Sequence, residues 1–214
     1  FPMKKSRLLS VLLCLALLSG LLNHLCLRCG QRQRHSGRDG RQRQGAVLVD
    51  PDTGEILYEK NAHAHNYPAS ITKVMTCLLT LEAVDRGEPV PGADRHRQLR
   101  PSHRHRGGAS TADIKEGEQI RIIDLLYAAL IPSANEACNV MAEAVSGDVA
   151  SFVELMNTRA AELGMEDTHF SNTHGYHDDD HYTSAYDIYL MCREAMKHET
   201  FRTIVGSKNY TMPA

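Results

Sequence analysis

A serine and a lysine three residues apart, at the mouth of a long apolar run, constrain this 214-residue chain more than any other feature. The stretch is Pro68-Ala69-Ser70-Ile71-Thr72-Lys73-Val74-Met75-Thr76. On a helix, positions i and i+3 share a face, so Ser70 and Lys73 are expected to point into one space. Serine is a weak nucleophile until a base takes its proton. A lysine can be that base if burial or a nearby cation lowers its pKa. Pro68 suits the start of a helix, and Val74, Met75, Leu78, Leu79 and Leu81 give that helix an apolar face to bury. A buried helix start also offers backbone N–H groups to a developing oxyanion. Taken alone, the pattern equally describes a helix with a capping serine and a solvated lysine.

A second stretch narrows the choice. Leu125-Leu126-Tyr127-Ala128-Ala129-Leu130-Ile131 is an apolar helical run that ends at Pro132, and Ser133-Ala134-Asn135 opens the next helix. The plain alternative is a helix–turn–helix corner with a capping serine. The functional reading is a second hydroxyl and an amide that face the nucleophile from a neighbouring element. Ser-x-x-Lys followed by Ser-x-Asn is the signature of the penicillin-interacting serine enzymes, β-lactamases and penicillin-binding proteins among them.

Other segments extend the likeness. They are Gly45 to Tyr58, Ile114-Lys115-Glu116-Gly117-Glu118, Glu162 to Met165, Thr168-His169-Phe170, Asn172-Thr173-His174-Gly175, and His181 to Asp187. With the two motifs they resemble the serine D-alanyl-D-alanine carboxypeptidases, the low-molecular-weight penicillin-binding proteins of the peptidase S11 type, over most of residues 45–92 and 108–214. The resemblance implies an α/β (α+β) fold of the β-lactamase/serine-transpeptidase kind: an antiparallel sheet flanked by helices, a helical subdomain, and the site between them. It implies acyl transfer, with Ser70 as nucleophile and Lys73 as general base. Ser133 relays a proton to the leaving amine, and Asn135 holds Lys73 and the substrate amide. The oxyanion hole would use the Ser70 N–H and an N–H from a strand further along the chain. The implied substrate is a peptidoglycan stem peptide ending in D-Ala-D-Ala, with β-lactams as covalent inhibitors and no cofactor.

The local patterns fit this frame. Ala46-Val47-Leu48-Val49, the turn chemistry of Asp50-Pro51-Asp52-Thr53-Gly54, and Glu55 to Glu59 predict a hairpin. Tyr67 is expected either to wall the site or to act as a hydrophobic staple. Ser110 and Thr111 lie in a small-residue loop that is expected to be solvated. Helices are predicted from Ile122, with Asp124 favouring its dipole, and over 136–146, 150–163 and 183–198. Thr183 or Ser184 should cap the last of these, and Gly164 should follow the end of the third.

Residues 3–27 read as a signal peptide or an N-terminal anchor, with Lys4, Lys5 and Arg7 before an apolar run from Leu8 to Leu22. Attachment to a membrane is therefore possible, and the chain is expected to be exported. Residues 28–44 and 94–107 are anomalous. They hold eleven of the 24 Lys and Arg but two of the 26 Asp and Glu, and they interrupt the hydrophobic periodicity abruptly. They read as local translation artefacts rather than as basic linkers. The rest of the chain is acidic, which argues against nucleic-acid binding. The composition, 42% hydrophobic, supports one domain with a sizeable core, placed at 45–214.

Three of the six cysteines lie in or beside the leader; the spacing of the others, Cys77, Cys138 and Cys192, fits no metal site, and they read as buried thiols. His174, His177, Asp178, Asp179, Asp180 and His181 could in principle hold a transition metal. They match a polar loop of the resembled family, and a solvated acidic loop is expected. The family's third motif, Lys-Thr-Gly or similar on a core strand, does not occur before Ala214, so the chain is expected to be a fragment whose remaining strands lie outside it. Rival readings are a class A-like β-lactamase, disfavoured because Ser-Ala-Asn lacks the aspartate of Ser-Asp-Asn, a non-catalytic peptidoglycan- or β-lactam-binding module, and an inactive fragment.

Overall fold

The helix that follows Ser70 is buried over most of its length, and the described molecule is built around it. A computed structural model describes residues 45–88, 110–115 and 118–212. The described residues all lie in one compact unit, Arg43–Ala214. The expected leader and both arginine-rich stretches lie outside the described residues.

Helix α1, Lys73–Asp85, buries Met75, Thr76, Cys77, Leu78, Leu79, Thr80, Leu81 and Ala83. A helix that is apolar nearly all round belongs in a core rather than on a surface. Its polar exceptions are hydroxyls with internal partners. Thr80 donates to the Thr76 carbonyl at 2.8 Å and Thr76 to the Thr173 carbonyl at 2.6 Å.

Two clusters cover α1. On one side Cys77 and Leu81 pack with α2 (Ile122–Leu130), α3 (Asn135–Ser146) and Phe201 and Ile204 of α6 (Glu199–Val205). On the other, Met75, Leu78 and Leu79 pack with Phe152, Met156 and Ala160 of α4 (Val149–Glu162), with Leu190 and Met191 of α5 (Ala185–Ala195), and with Met165 and Phe170. The predicted helices are thus found, with one change. The run expected over 183–198 stops at Ala195, and a separate helix begins at Glu199.

Caps follow the sequence in two places. Asp148 accepts from the Ser151 N–H at the start of α4, and Ser184 accepts from the Asp187 N–H at the start of α5. Gly164, at φ +77°, follows the end of α4 as expected. Asp124 does more than favour a dipole. It is buried and takes two bonds from the Arg121 guanidinium at 2.7 and 2.9 Å, and these hold its carboxyl below the usual carboxylate range.

Strands β1 (Ala46–Val49) and β2 (Ile56–Lys60) form an antiparallel hairpin, with Ala46 opposite Lys60, Leu48 opposite Tyr58, and an irregularity between Leu48 and Val49. Asp50 shapes its turn by accepting from the Asp52 and Thr53 N–H groups, both at 2.9 Å. The hairpin packs on α5.

Because α1 is buried without a break from Met75 through Leu81, those core positions should be unusually sensitive. Leu78→Ala is expected to lower the free energy of unfolding by about 2–5 kcal/mol in chemical denaturation. A change under about 1 kcal/mol would show that α1 is not packed from both sides.

Candidate active site

Ser70 lies not in the α-helix itself but in a 3₁₀ turn, Ala69–Thr72, that leads into it. The turn has no side-chain cap, and Ala69 takes a left-handed φ of 48°. A non-glycine residue in that region costs on the order of 1–3 kcal/mol and persists only where its surroundings enforce it. The result is an exposed Ser70 beside a lysine that is 2% exposed.

The Lys73 Nζ donates to Ser70 Oγ at 3.1 Å and to the His174 carbonyl at 2.9 Å. Burial pushes the Lys73 amine below its ordinary pKa. Cys138, Cys77 and Glu136 lie close enough to act against that shift if they carry charge. Burial drives both thiols upward, that of Cys138 to about 12, so the thiols stay neutral at physiological pH. Among these three, Glu136 supplies the negative charge.

The segment 171–184 clasps the nucleophile turn at four points. The first is the His174 carbonyl on Lys73. The second is the Thr173 carbonyl on Thr76. The third is Gly175, at φ +84°, whose backbone lies so close that a Cβ there would sit 1.7 Å from the Ala69 carbonyl oxygen. The fourth is His181. Its Nδ1 lies 2.9 Å from the Ser171 N–H, a donor, so Nδ1 is the unprotonated nitrogen and Nε2 carries the hydrogen. Nε2 is 2.7 Å from Thr72 Oγ1 and donates to it.

His181 is therefore neutral. It is buried, and burial lowers its pKa from 6.5 to about 4. This corrects the expectation of a wholly solvated acidic loop: the loop's last histidine faces inward because two polar partners await it. Among the described residues, no group of three or more His, Cys, Asp or Glu could hold a metal.

Ser133 and Asn135 sit at the corner between α2 and α3. Ser133 takes φ +66°, and the Ala134 N–H donates back to the Ala128 carbonyl at 2.8 Å, which folds the corner tightly. Ser133 Oγ is buried and has no hydrogen-bond partner among the described residues. A buried hydroxyl without a partner in a strained corner marks a position kept for something other than stability.

Asn135 opens α3, and its backbone N–H donates to the Ser110 carbonyl at 3.0 Å. The His174 carbonyl is a partner of Lys73 that the sequence did not suggest. Loop 110–113 is not simply solvated either, since Thr111 donates to Glu136 at 2.7 Å. Tyr67 is no staple. It is 61% exposed and meets the His177 ring edge-on, with centroids 4.5 Å apart.

A serine hydroxyl bonded to a buried amine, with a second hydroxyl at a nearby helix corner, is an arrangement able to carry acyl transfer. A sequence profile of the D-alanyl-D-alanine carboxypeptidases (peptidase S11) matches residues 34–213, and the chain belongs to that family. It is 38% identical over 164 residues to the D-alanyl-D-alanine carboxypeptidase DacF of Bacillus subtilis (strain 168), covering 77% of this chain and 41% of that protein. It is 34% identical to DacD of Escherichia coli (strain K12), covering 72% of this chain and 40% of that protein.

Among solved structures it is similar to the D-alanyl-D-alanine carboxypeptidase DacD from Francisella tularensis. The TM-score is 0.70 and the identity 28%, over 79% of this chain and 43% of that one. It is also similar to penicillin-binding protein D2 from Listeria monocytogenes in its cefotaxime-bound form, with a TM-score of 0.63 and 30% identity, over 72% of this chain and 62% of that one. These structures carry the serine-transpeptidase fold that the motifs implied. The chain spans about two fifths of the length of the curated relatives it matches.

Two outcomes follow from the clasp. Gly175→Ala is expected to displace the Ala69 carbonyl and abolish reaction of Ser70 with acylating agents. Normal reactivity would show that the contact does not hold the turn. Because His181 is neutral in the fold, the unfolded chain binds more protons between pH 6.5 and about 4. Its contribution is complete above pH 6.5 and is lost as the pH falls toward 4, at a cost of roughly 3 kcal/mol. His181→Asn should flatten that segment of the stability–pH curve in denaturant titrations. An unchanged slope would assign the acid sensitivity to other groups.

Proposed function

We propose that the protein carrying this chain is a serine D-Ala-D-Ala carboxypeptidase that trims peptidoglycan stem peptides. The observation that carries this reading is the 3.1 Å bond between Ser70 Oγ and the buried amine of Lys73. Family membership supports the substrate class.

In this scheme the free amine of Lys73 takes the Ser70 proton as Oγ bonds to the carbonyl carbon of the penultimate D-alanine. The Ser70 N–H helps to hold the oxyanion. The peptide C–N bond then breaks, and the leaving D-alanine amine receives a proton through Ser133. Water hydrolyses the resulting ester and frees Ser70. Asn135, at the head of α3, takes the substrate amide. The residues present supply the nucleophile, the base and the proton relay from side chains alone.

β-Lactams fit the same scheme as covalent inhibitors, because their strained amide stands in for the D-Ala-D-Ala bond. The cefotaxime- and ampicillin-bound forms of the Listeria relative support this. The basic and apolar segment 3–27 supports export, with membrane attachment as an accompanying proposal and the cell wall as the place of action. Roles in cell shape or wall remodelling follow only from that location.

The test is labelling with a fluorescent penicillin, in this chain and in any longer product of the same reading frame. Covalent label that is absent in Ser70→Ala, together with release of D-alanine from a stem-peptide analogue, is the expected result. Lys73→Ala is expected to slow labelling by about 10²–10⁴-fold. Label without D-alanine release would identify a β-lactam-binding module. Fast turnover of the penicillin would identify a β-lactamase.

A further inference from the structure

Glu136 directly follows the Ser133-Ala134-Asn135 corner, and its side chain is 5% exposed. The proton-transfer scheme makes no use of it. Its Oε1 accepts from the Thr111 hydroxyl and from the Ala112 N–H, both at 2.7 Å. Beside it, the Asn135 N–H holds the Ser110 carbonyl. Thr111 Oγ1 in turn accepts from the Asp113 N–H at 2.8 Å, and Asp113 takes a left-handed φ of 60°. Loop 110–113 is therefore strung along the first turn of α3, next to Ser133.

The other carboxylate oxygen, Oε2, is buried and has no hydrogen-bond partner among the described residues. Leaving a buried carboxylate oxygen without a partner is costly. A site that keeps one needs a compensating charge. The first turn of α3 supplies part of it through the helix dipole. The amine of Lys73, on the helix that packs against α3, interacts favourably with that carboxylate whenever the amine is protonated.

We propose that Glu136 is a positioning residue for acylation: its Oε1 ties loop 110–113 to the Ser133–Asn135 corner, and its charge stands against the buried amine of Lys73. The inference rests on the reading of Ser70 and Lys73 as the acylating pair. The groups that face Lys73 are Cys77 from its own helix, Cys138 and Glu136 from α3, and His174 from the clasping segment, with neutral His181 reaching the turn through Thr72. With the thiols neutral, the carboxylate of Glu136 favours the protonated amine and opposes the effect of burial.

The two contacts separate by mutation. Glu136→Gln keeps an oxygen for Thr111 and Ala112 but removes the charge. Thr111→Val removes the loop's hydroxyl bond and keeps the charge.

The experiment is the pH dependence of penicillin acylation for the unaltered chain and both variants, with Ser70→Ala as the control and circular dichroism melts to confirm folding. Acylation needs the free amine, so the acidic limb of the profile is expected to move to lower pH in Glu136→Gln, by up to about one unit. In Thr111→Val the limb is expected to stay in place while the plateau rate falls several-fold. A limb that does not move in a folded Glu136→Gln would overturn the electrostatic half, and an unchanged plateau in Thr111→Val would overturn the anchoring half. If Glu136→Gln does not fold, Glu136→Asp, which keeps the charge on a shorter reach, is expected to hold the limb and lower the plateau. A shifted limb there would overturn the proposal. Absence of label on the unaltered chain and on a folded longer product of the same reading frame would instead sink the acylation reading itself.

Discussion

The rest of the structure depends on keeping an amine buried beside an exposed hydroxyl. Water would hold Lys73 as an ammonium, useless as a base, and burial is what disfavours that charge. The fold therefore needs a helix that begins at the surface, at Ser70, and within one turn passes into a fully enclosed core. Packing α1 between two clusters meets that need. The 3₁₀ turn performs the transition, and the lysine's donors are met by Ser70 Oγ and a carbonyl rather than by water.

The clasping segment shows where the strain in the turn is held. Ala69 and Ser133 both take left-handed backbone angles that alanine and serine avoid, and each adjoins or forms part of the proposed site. Neither would persist in isolation. At Ala69 the constraint is the close approach of Gly175, with His181 and Thr72 bracing the next turn. At Ser133 it is the Ala134 to Ala128 bond that closes the corner. Stability is thereby given up at two points, one beside Ser70 and one at Ser133.

Much of this was legible in the residues. The hairpin, the helices after Lys73, Ile122 and Asn135, and the cap at Ser184 follow from periodicity and turn chemistry, which are local. The Ser70 and Lys73 pair was legible because both members lie within one helical turn. The parts that escaped are contacts over long sequence separations made by backbone groups or by unremarkable side chains. The His174 carbonyl reaches Lys73 from 101 residues away, and any residue type has a carbonyl. Gly175 was visible as a glycine, but its close neighbour Ala69 was not. His181 resembled its solvated neighbours in the run His177 to His181, and only the fold separates it from them. Glu136 stood only as the first residue of the helix predicted over 136–146, with nothing local to mark its buried partners Thr111 and Ala112.

The central claim is that Lys73 is held ready to accept a proton by its burial. Its amine can be titrated directly by NMR of a chain carrying 13C at lysine Cε, with Lys73→Arg used to assign the signal. The account predicts a Lys73 pKa clearly below the ordinary lysine value. A value at or above that of an exposed lysine would contradict it, because an amine that stays protonated through the working range cannot take the Ser70 proton.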